Sequence, residues 1–265
     1  MSSSGRLTYI FKDTVLADMK SFIDRATLFA FDLDGTLAPI VPDPDAIGIP
    51  GAIREEFAIL NERAVVAVIT GRSRSDARMH LGAAPRYLIG NHGAEGLPGW
   101  EDREGEFIRT ASQWQSQLDV LLPIADRAGI AVENKGATLS IHYRHAGRIR
   151  LTHALILRTI DRLVPQPRRI SGKYVENLIP NAAPDKGVAL SLLMQQAGCR
   201  KGFFVGDDET DEDVFSLDNE NIFTIRVGRR TGSRARFYLR GQHEIIRLMQ
   251  EINKCLGQIK EFQHR

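Results

Sequence analysis

LFAFDLDGTL occupies residues 28–37 and joins an apolar run to two carboxylates one residue apart. Residues 28–31 are typical of a strand that is buried on both faces. The strand ends at Asp32 and Asp34, whose like charges oppose each other's ionisation, and burial adds a desolvation cost. A divalent cation removes both problems, and open α/β sheets bind ligands at the carboxyl ends of their strands. We therefore predict a metal-assisted site at the tip of a central strand, with a plain acidic turn as the simpler alternative.

The composition is that of an ordinary globular protein, with 43% hydrophobic and 26% charged residues in a chain of 265. The net charge of +2 gives no bulk electrostatic reason to expect nucleic acid or a membrane surface as a partner. Two cysteines cannot build a disulfide framework, and we find neither a signal-peptide apolar region nor a membrane-spanning segment. We expect a cytoplasmic monomer that binds neither nucleic acid nor a membrane.

Other apolar runs repeat the pattern of a strand that ends in polar residues. Residues 65–69 precede TGRS at 70–73, and their alternation with helical segments argues for a parallel sheet with helices on its faces. The Thr70 hydroxyl and the neighbouring backbone N–H groups are suited to a phosphate oxygen, although an ordinary helix cap explains Thr70 as well. Hydrophobic spacing also predicts helices over 8–24, 53–61, 185–196 and 245–259 and strands over 87–89 and 221–228.

Acidic residues are dense after the apolar run 203–205. Six of the seven residues 207–213 are Asp or Glu, which exceeds what a helix cap requires. Together with Asp32 and Asp34 they would form an oxygen-only site suited to Mg²⁺. Lys186 opens a predicted helix, where a cation opposes the helix dipole, and this mismatch points to a role in neutralising a phosphate.

Residues 97–178 have a different pattern of predicted helices and strands, which predicts an α+β cap. Helical spacing appears over 108–128 and 147–163, while strand patterns over 138–143 and 173–176 accompany a hairpin that turns near residues 135–136. This predicts a core from residues 1–96 and 179–265 and a cap from 97–178. We place Glu133, Lys135 and Glu176 on the inner face of the cap to bind a polyol, with a solvated strand face as the alternative.

Four motifs resemble, in the same order, those of the haloacid dehalogenase (HAD) superfamily of phosphohydrolases. They are DLDGT at 32–36, TGRS at 70–73, DKG at 185–187 and GDDETDE at 206–212. The insert resembles the C2B type of cap. Shorter motifs are more closely similar to the trehalose-6-phosphate phosphatase family, namely GNHGAE at 90–95, ENKG at 133–136, IHYR at 141–144 and YVEN at 174–177. The resemblance covers about residues 25–235 and implies an α/β, Rossmann-like parallel-sheet core with an inserted α+β cap domain.

The resemblance also implies a reaction, the Mg²⁺-dependent hydrolysis of trehalose 6-phosphate. Asp32 would be the nucleophile that becomes an aspartyl phosphate, and Asp34 would act first as general acid and then as general base. Thr70, Gly71 and Lys186 would bind the phosphoryl oxygens.

The same resemblance assigns a metal site and a sugar site. The Asp32 carboxylate, the Asp34 backbone carbonyl and Asp207 would bind Mg²⁺, with Asp208 and Asp211 in support. Glu133, Lys135 and Glu176 would contact the disaccharide, and the cap would close to exclude water. The sequence departs from the family after Glu176. The family glutamate that matches Glu176 is usually followed, two residues on, by a basic residue and proline. Here Glu176 is followed by NLIPN at 177–181.

Three other functions remain open from the sequence. A hydrolase of a different sugar or glycosyl phosphate would share the core and differ in the cap. A phosphorylation-dependent receiver also uses an acceptor Asp with Thr and Lys, but it has no substrate cap. A catalytically silent binding protein is disfavoured by the intact set Asp32, Asp34, Thr70, Lys186 and Asp207.

Overall fold

The chain folds into two units, each with its own sheet and its own buried hydrophobic residues. The computed structural model describes residues 7–41, 46–122 and 127–261. One unit comprises Met1–His92 and Asp185–Arg265, and the other comprises Gly93–Pro184. Among the described residues, no helix has the length and apolar character needed to cross a bilayer.

The first unit is built on a seven-stranded sheet in which every pair is parallel. Its strands are β1 (Thr8–Tyr9), β2 (Thr27–Phe31), β3 (Val65–Ile69), β4 (Tyr87–Ile89), β9 (Lys201–Gly206), β10 (Ile222–Val227) and β11 (Phe237–Leu239). Its helices are α1 (Asp13–Phe22), α2 (Gly51–Arg63), α3 (Arg74–Leu81), α6 (Lys186–Gln196), α7 (Glu212–Phe215) and α8 (Ile245–Glu261). The strand order is β1-β11-β10-β9-β2-β3-β4, so β2 and β9 lie side by side near the middle.

The apolar runs of the sequence form the centre of this sheet, as predicted. All five residues of β2 are buried, and β9 packs beside it with the Phe29 and Phe203 rings 5.4 Å apart. Burial of apolar side chains on both faces stabilises the strands, and their parallel pairing places their carboxyl ends at one edge of the sheet. The predicted parallel α/β core is therefore confirmed.

The predicted helix over residues 8–24 is wrong at its start. Thr8 and Tyr9 pair in parallel with β11 as an edge strand, and helix α1 begins only at Asp13. A two-residue strand is too short to leave an alternating pattern, so tertiary pairing overrides the local helical spacing. In the proline-rich loop that follows β2, Pro42 and Pro44 lie outside the described residues.

The second unit contains a four-stranded antiparallel sheet and two helices. Its elements are α4 (Glu101–Leu121), β5 (Ala131–Asn134), β6 (Leu139–His142), α5 (Ile149–Ile160), β7 (Arg168–Gly172) and β8 (Val175–Ile179), with strand order β5-β6-β8-β7. The predicted hairpin is confirmed as β5 and β6. The predicted strand over 173–176 is shifted, because β8 begins at Val175, after a turn in which Tyr174 has a φ of 63°.

Candidate active site

Asp32 stands at the point where the central strand β2 ends beside β9. Phe31 pairs with Val205, and the Asp32 backbone N–H donates to the Val205 carbonyl at 2.9 Å. Asp32 is only 4% exposed. The register therefore brings the buried carboxylate of Asp32 to the start of the acidic loop that follows β9.

Three carboxylates and one ammonium group converge there. Carboxylate oxygens of Asp32, Asp207 and Asp211 all lie within 4.8 Å of one another. Lys186, the first residue of α6, is 2% exposed, and its Nζ donates to Asp32 Oδ1 and to Asp211 Oδ1, each at 2.8 Å. Because Lys186 neutralises only part of this negative charge, the cluster still attracts a cation.

Asp211 holds the acidic loop in shape. Its Oδ1 accepts from Lys186, and its Oδ2 accepts from the backbone N–H groups of Asp207 and Asp208 at 2.7 and 2.8 Å. A Cβ added to Gly206 would stand only 2.3 Å from the Asp211 carboxyl group, so only glycine fits at position 206. Asp208 contributes its backbone N–H to this arrangement, while its own Oδ1 accepts from the Glu209 N–H at 2.6 Å.

The pKa values reflect this concentration of buried charge. Burial raises the pKa of Asp32 well above its usual value; Lys186 opposes the rise, and Asp211 and Asp207 add to it. Burial, Asp211 and Asp208 raise the pKa of Asp207 to about 7, against the opposing effect of Lys186 and Arg226. Burial disfavours the charged form of Lys186, but Asp211 and Asp32 raise its pKa above the usual value. A further cation in the cluster would favour the ionised form of both acids.

The cluster fits a hard divalent cation. Among the described residues, the candidate ligands are carboxylate oxygens, with no histidine or cysteine in the group. Asp211 is occupied by Lys186 and by two backbone N–H groups, so the oxygens best placed to bind an ion belong to Asp32 and Asp207. An oxygen-only donor set of this kind is the chemistry that Mg²⁺ and related ions prefer.

The raised pKa of Asp207 gives a pH-dependent prediction for the metal-free protein. With a folded-state pKa of about 7, Asp207 keeps a proton that the unfolded chain loses above about pH 4. Stability therefore falls as pH rises from about 4 through about 7. Asp207→Asn removes this titration, so thermal unfolding in EDTA should show a flatter pH dependence and about 1–2 kcal/mol more stability at pH 7.5. A variant with the same pH dependence as the wild type would contradict the assignment.

Gly35 allows the loop after β2 to pass against Asp207. Its φ is +79°, and an added Cβ would stand 2.2 Å from Asp207 Oδ2. The next residue, Thr36, is fully buried, and its Oγ1 donates to Asp207 Oδ1 at 3.5 Å. Glycine is thus required here both for backbone conformation and for space.

Gly35→Ala is accordingly expected to destabilise the protein by about 2 kcal/mol or more, because the left-handed conformation and the clash with Asp207 add. Gly48→Ala is the matched control, since nothing lies within 4 Å of an added Cβ there. Chemical denaturation of the two variants measures the difference. Equal stabilities would mean that the loop relaxes freely away from Asp207.

Asp34 is held by an arginine. Arg72 donates from Nε to Asp34 Oδ2 at 2.7 Å and from Nη2 to Asp34 Oδ1 at 2.8 Å, so the guanidinium binds both carboxylate oxygens. Arg72 also donates from Nη1 to Asp76 Oδ2 at 2.7 Å. This fork fixes the orientation of Asp34, so the carboxylate can turn toward another partner only after Arg72 loosens its hold.

Thr70 and Gly71 follow β3, the strand beside β2. Thr70 is fully buried, and its Oγ1 accepts the Arg72 backbone N–H at 3.2 Å. The His92 ring lies against Gly71, where an added Cβ would stand 2.4 Å from the ring. Asn91 and His92 both have positive φ, at 51° and 59°, which makes the segment beside this loop a strained one.

Of the predicted sugar-binding residues, Glu133 and Lys135 lie together in the second unit. Glu133 is 51% exposed at its side chain, with Lys135 Nζ at 3.9 Å and His142 Nε2 at 2.9 Å from its Oε2. In the sheet Glu133 pairs with Ser140, which pairs with Asn177. Residues that pair in this way project to the same face, so Glu133, Ser140 and Asn177 form one polar row.

The prediction that Glu176 shares this face is wrong. Glu176 pairs with Ile141, a fully buried core residue, and therefore projects to the opposite face from Glu133. It is 1% exposed, with His153 Nε2 and Ser171 Oγ each 2.8 Å from its carboxylate oxygens. The structure thus commits Glu176 to the interior of the second unit.

Two functional arginines were missed in the sequence. Arg72 lies inside the TGRS motif, but its pairing with Asp34 depends on the register of two strands. Arg226 is a charged residue inside the apolar run of β10, much as Asp32 is a charged residue at the end of the apolar run of β2. A charge in a fully buried strand needs a partner, and that signal alone could have drawn attention to Arg226.

The chain is similar to known proteins in sequence and in fold. The sequence model of the trehalose-phosphatase family matches residues 30–238. The chain is 31% identical to the trehalose-6-phosphate phosphatase of Escherichia coli over 242 residues, which cover 87% of this chain and 88% of that protein. It is 29% identical to the probable trehalose-phosphate phosphatase 4 of rice over 198 residues, 70% of this chain, but it spans only 54% of the length of that relative.

Solved structures share the fold. Trehalose-6-phosphate phosphatase from Aspergillus fumigatus superposes with a TM-score of 0.64 at 22% identity, over 94% of this chain and 99% of that one. A sucrose-phosphatase from Synechocystis superposes with a TM-score of 0.53 at 20% identity, over 86% of this chain and 99% of that one. At these identities the likeness supports the predicted core-and-cap fold alone.

Proposed function

Because this chain belongs to the trehalose-phosphatase family, we propose that it is a Mg²⁺-dependent phosphatase that converts trehalose 6-phosphate to trehalose and phosphate. One observation carries the chemistry of the proposal. The buried carboxylate of Asp32 is held at 2.8 Å by the Lys186 ammonium, and it stands beside a second acid, Asp207, that is poised to share a cation with it. A nucleophile that must accept a negatively charged phosphoryl group needs such compensating positive charge.

In the proposed reaction Asp32 attacks the phosphorus atom. A bond forms between its free oxygen and phosphorus as the bond to the sugar oxygen breaks, which leaves an aspartyl phosphate. Asp34 gives a proton to the departing oxygen and then takes one from the water that hydrolyses the acyl phosphate. Lys186, the Thr70 hydroxyl and the Gly71 N–H bind the phosphoryl oxygens. Mg²⁺, held by Asp32, Asp207 and the Asp34 carbonyl, would supply charge neutralisation at the phosphoryl group.

The Arg72 fork adds a step before proton transfer. The guanidinium holds both oxygens of Asp34, at 2.7 and 2.8 Å, so the carboxylate must loosen from Arg72 before it can turn toward the departing oxygen. Asp76 offers Arg72 a second carboxylate, so the guanidinium can loosen its hold on Asp34 without losing all its charge pairing. We expect Asp34 to be released from one nitrogen when substrate enters.

We assign sugar recognition to the exposed end of the polar row of the second unit, at Glu133. Glu133, with Lys135 and His142 beside it, presents acceptors and donors that match sugar hydroxyls. Asn177, in the same row, accepts from Ser140 Oγ at 2.7 Å and is half-buried. Glu176 takes no part in this assignment, because its carboxylate is inside the unit.

Two variants separate these roles. Glu133→Ala should lower kcat/KM for trehalose 6-phosphate by about 10-fold or more, because hydroxyl contacts are lost, while hydrolysis of p-nitrophenyl phosphate changes less than about 3-fold. Glu176→Gln should lower the melting temperature and leave the ratio between the two substrates unchanged, since it disturbs an internal bond with His153. For Glu133→Ala, an equal fall in kcat/KM for both substrates would contradict a role in sugar recognition and assign Glu133 a structural role instead.

The function is tested by phosphate release from trehalose 6-phosphate, sucrose 6-phosphate and glucose 6-phosphate, with Mg²⁺ or EDTA. Selective, Mg²⁺-dependent release from the first supports the proposal. A preference for another substrate would transfer the same core chemistry to a different sugar phosphate. No release from any of them would contradict a phosphatase. The monomeric state and the cytoplasmic location stay predictions, and size-exclusion chromatography tests the first.

A further inference from the structure

Arg226 is a buried cation that the proposed reaction does not use. It lies in β10, next to β9, in a strand whose residues are all buried, and it is 5% exposed. A guanidinium is costly to bury unless its N–H groups are satisfied. The position of those acceptors therefore shows what the residue holds in place.

The acceptors belong to the acidic loop. Arg226 Nη2 donates to the backbone carbonyl of Asp207, and Nη1 donates to the backbone carbonyl of Asp208 at 3.0 Å and to Glu212 Oε1 at 3.0 Å. Two main-chain carbonyls and one carboxylate are thus gathered by a single planar group. Because the N–H groups of a guanidinium point in fixed directions, it constrains its acceptors more tightly than an ammonium group does.

The same residues of the loop are held from the other side. Asp211 Oδ2 accepts the N–H groups of Asp207 and Asp208, while Arg226 takes their C=O groups. Both residues are therefore anchored through each of their backbone polar groups, and the Asp207 side chain projects from a fixed backbone. Glu212, which accepts from Arg226, is itself fixed in place, since its Oε2 accepts the Arg234 backbone N–H at 2.8 Å.

We propose that Arg226 is a positioning residue that fixes the backbone of Asp207 and Asp208 so that the Asp207 carboxylate is preorganised to bind the cation. This inference rests on the proposed function, because it assigns the cation to Asp32 and Asp207. It assigns Arg226 no contact with substrate. Groups that orient metal ligands in this way commonly control metal affinity about 10- to 100-fold.

The test measures metal binding without turnover. Mn²⁺ affinity is measured by isothermal titration calorimetry for the full-length wild type, Arg226→Met, Arg226→Lys and Glu212→Gln. We expect the Kd to rise about 10-fold or more in Arg226→Met and less in Arg226→Lys and Glu212→Gln, which keep part of the hydrogen bonding. In turnover assays the Mg²⁺ concentration for half-maximal activity should rise in the same order, while KM for substrate at saturating Mg²⁺ stays within about 2-fold.

Arg168→Met is the matched control. Arg168 also donates to two consecutive carbonyls, those of Ala183 and Pro184, at 3.2 and 3.1 Å, but in the second unit. Its loss should leave the Mn²⁺ Kd unchanged. If Arg226→Met does not fold, Arg226→Lys and Glu212→Gln carry the comparison.

The outcomes separate this inference from the function on which it rests. Folded variants that bind Mn²⁺ as tightly as the wild type would overturn the positioning role and leave the phosphatase intact. An Arg168→Met effect as large as that of Arg226→Met would overturn it too, because the loss would then be general. A wild type that binds no Mn²⁺ would overturn the metal site itself.

Discussion

The Asp32→Asn protein is expected to release phosphate from trehalose 6-phosphate at least about 1,000-fold more slowly than the wild type. The amide keeps the size and shape of the carboxylate but is a poor nucleophile, so the phosphoryl group has no acceptor. The fold should persist, because the Asp32 backbone N–H still donates to Val205. Phosphate release under saturating Mg²⁺ measures the loss of turnover, and circular dichroism measures whether the fold persists.

Asp24→Asn is the control for this variant. Asp24 precedes the same strand and pairs with Lys201 at 2.8 Å, but it lies outside the carboxylate cluster. Its replacement removes one Asp–Lys pair without touching the nucleophile, so activity should stay within about 2-fold. An Asp32→Asn protein as active as Asp24→Asn would remove Asp32 from the mechanism.

Lys186→Met should be the other severe change, with two separate effects. The buried carboxylates of Asp32 and Asp211 lose the ammonium that lies 2.8 Å from each, and breaking a buried ion pair on one side costs about 3–5 kcal/mol. Turnover should fall about 100-fold or more, because the phosphoryl oxygens lose a cation. Denaturation in EDTA measures the first effect, and phosphate release with Mg²⁺ measures the second.

Lys201→Met separates these effects from the loss of any lysine that pairs with an aspartate. Its side chain is 27% exposed and its ammonium pairs with Asp24 at 2.8 Å, so its loss should cost about 1 kcal/mol or less and leave turnover unchanged. If Lys186→Met were as stable and as active as Lys201→Met, the buried cluster of Lys186, Asp32 and Asp211 would contribute neither to stability nor to turnover, which would contradict the proposed site.

The central strands could be predicted because their signal is local. The apolar runs of β2, β3 and β9 are buried on both faces, so composition alone identifies them, and the acids at their ends follow directly in the sequence. Parallel pairing then brings those ends together. The short strands β1 and β11 left no such run, since their formation depends on neighbours in the sheet, and β7 has no apolar run because its sequence is RRISG.

The face of a side chain in the second unit was harder to predict. Side chains alternate along a strand, so an error of one residue in register reverses every assignment. Glu176 looked equivalent to Glu133 in sequence, yet it pairs with Ile141 whereas Glu133 pairs with Ser140. Only the pairing of three strands decides this, and no local pattern contains it.

The two arginines show a related limit. Arg72 and Arg226 act on Asp34 and on the loop of Asp207, which lie 38 and 19 residues away in sequence. Their residue type and burial signal a partner, but the identity of the partner follows from the order of strands in the sheet.

The most direct test of the whole account is anomalous diffraction from crystals grown with Mn²⁺ in place of Mg²⁺. We predict one strong peak within about 2.2 Å of a carboxylate oxygen of Asp32 and of Asp207, and its loss in Asp207→Asn. A protein that hydrolyses sugar phosphates while its ion lies elsewhere, or with no ion between these two carboxylates, would contradict the site.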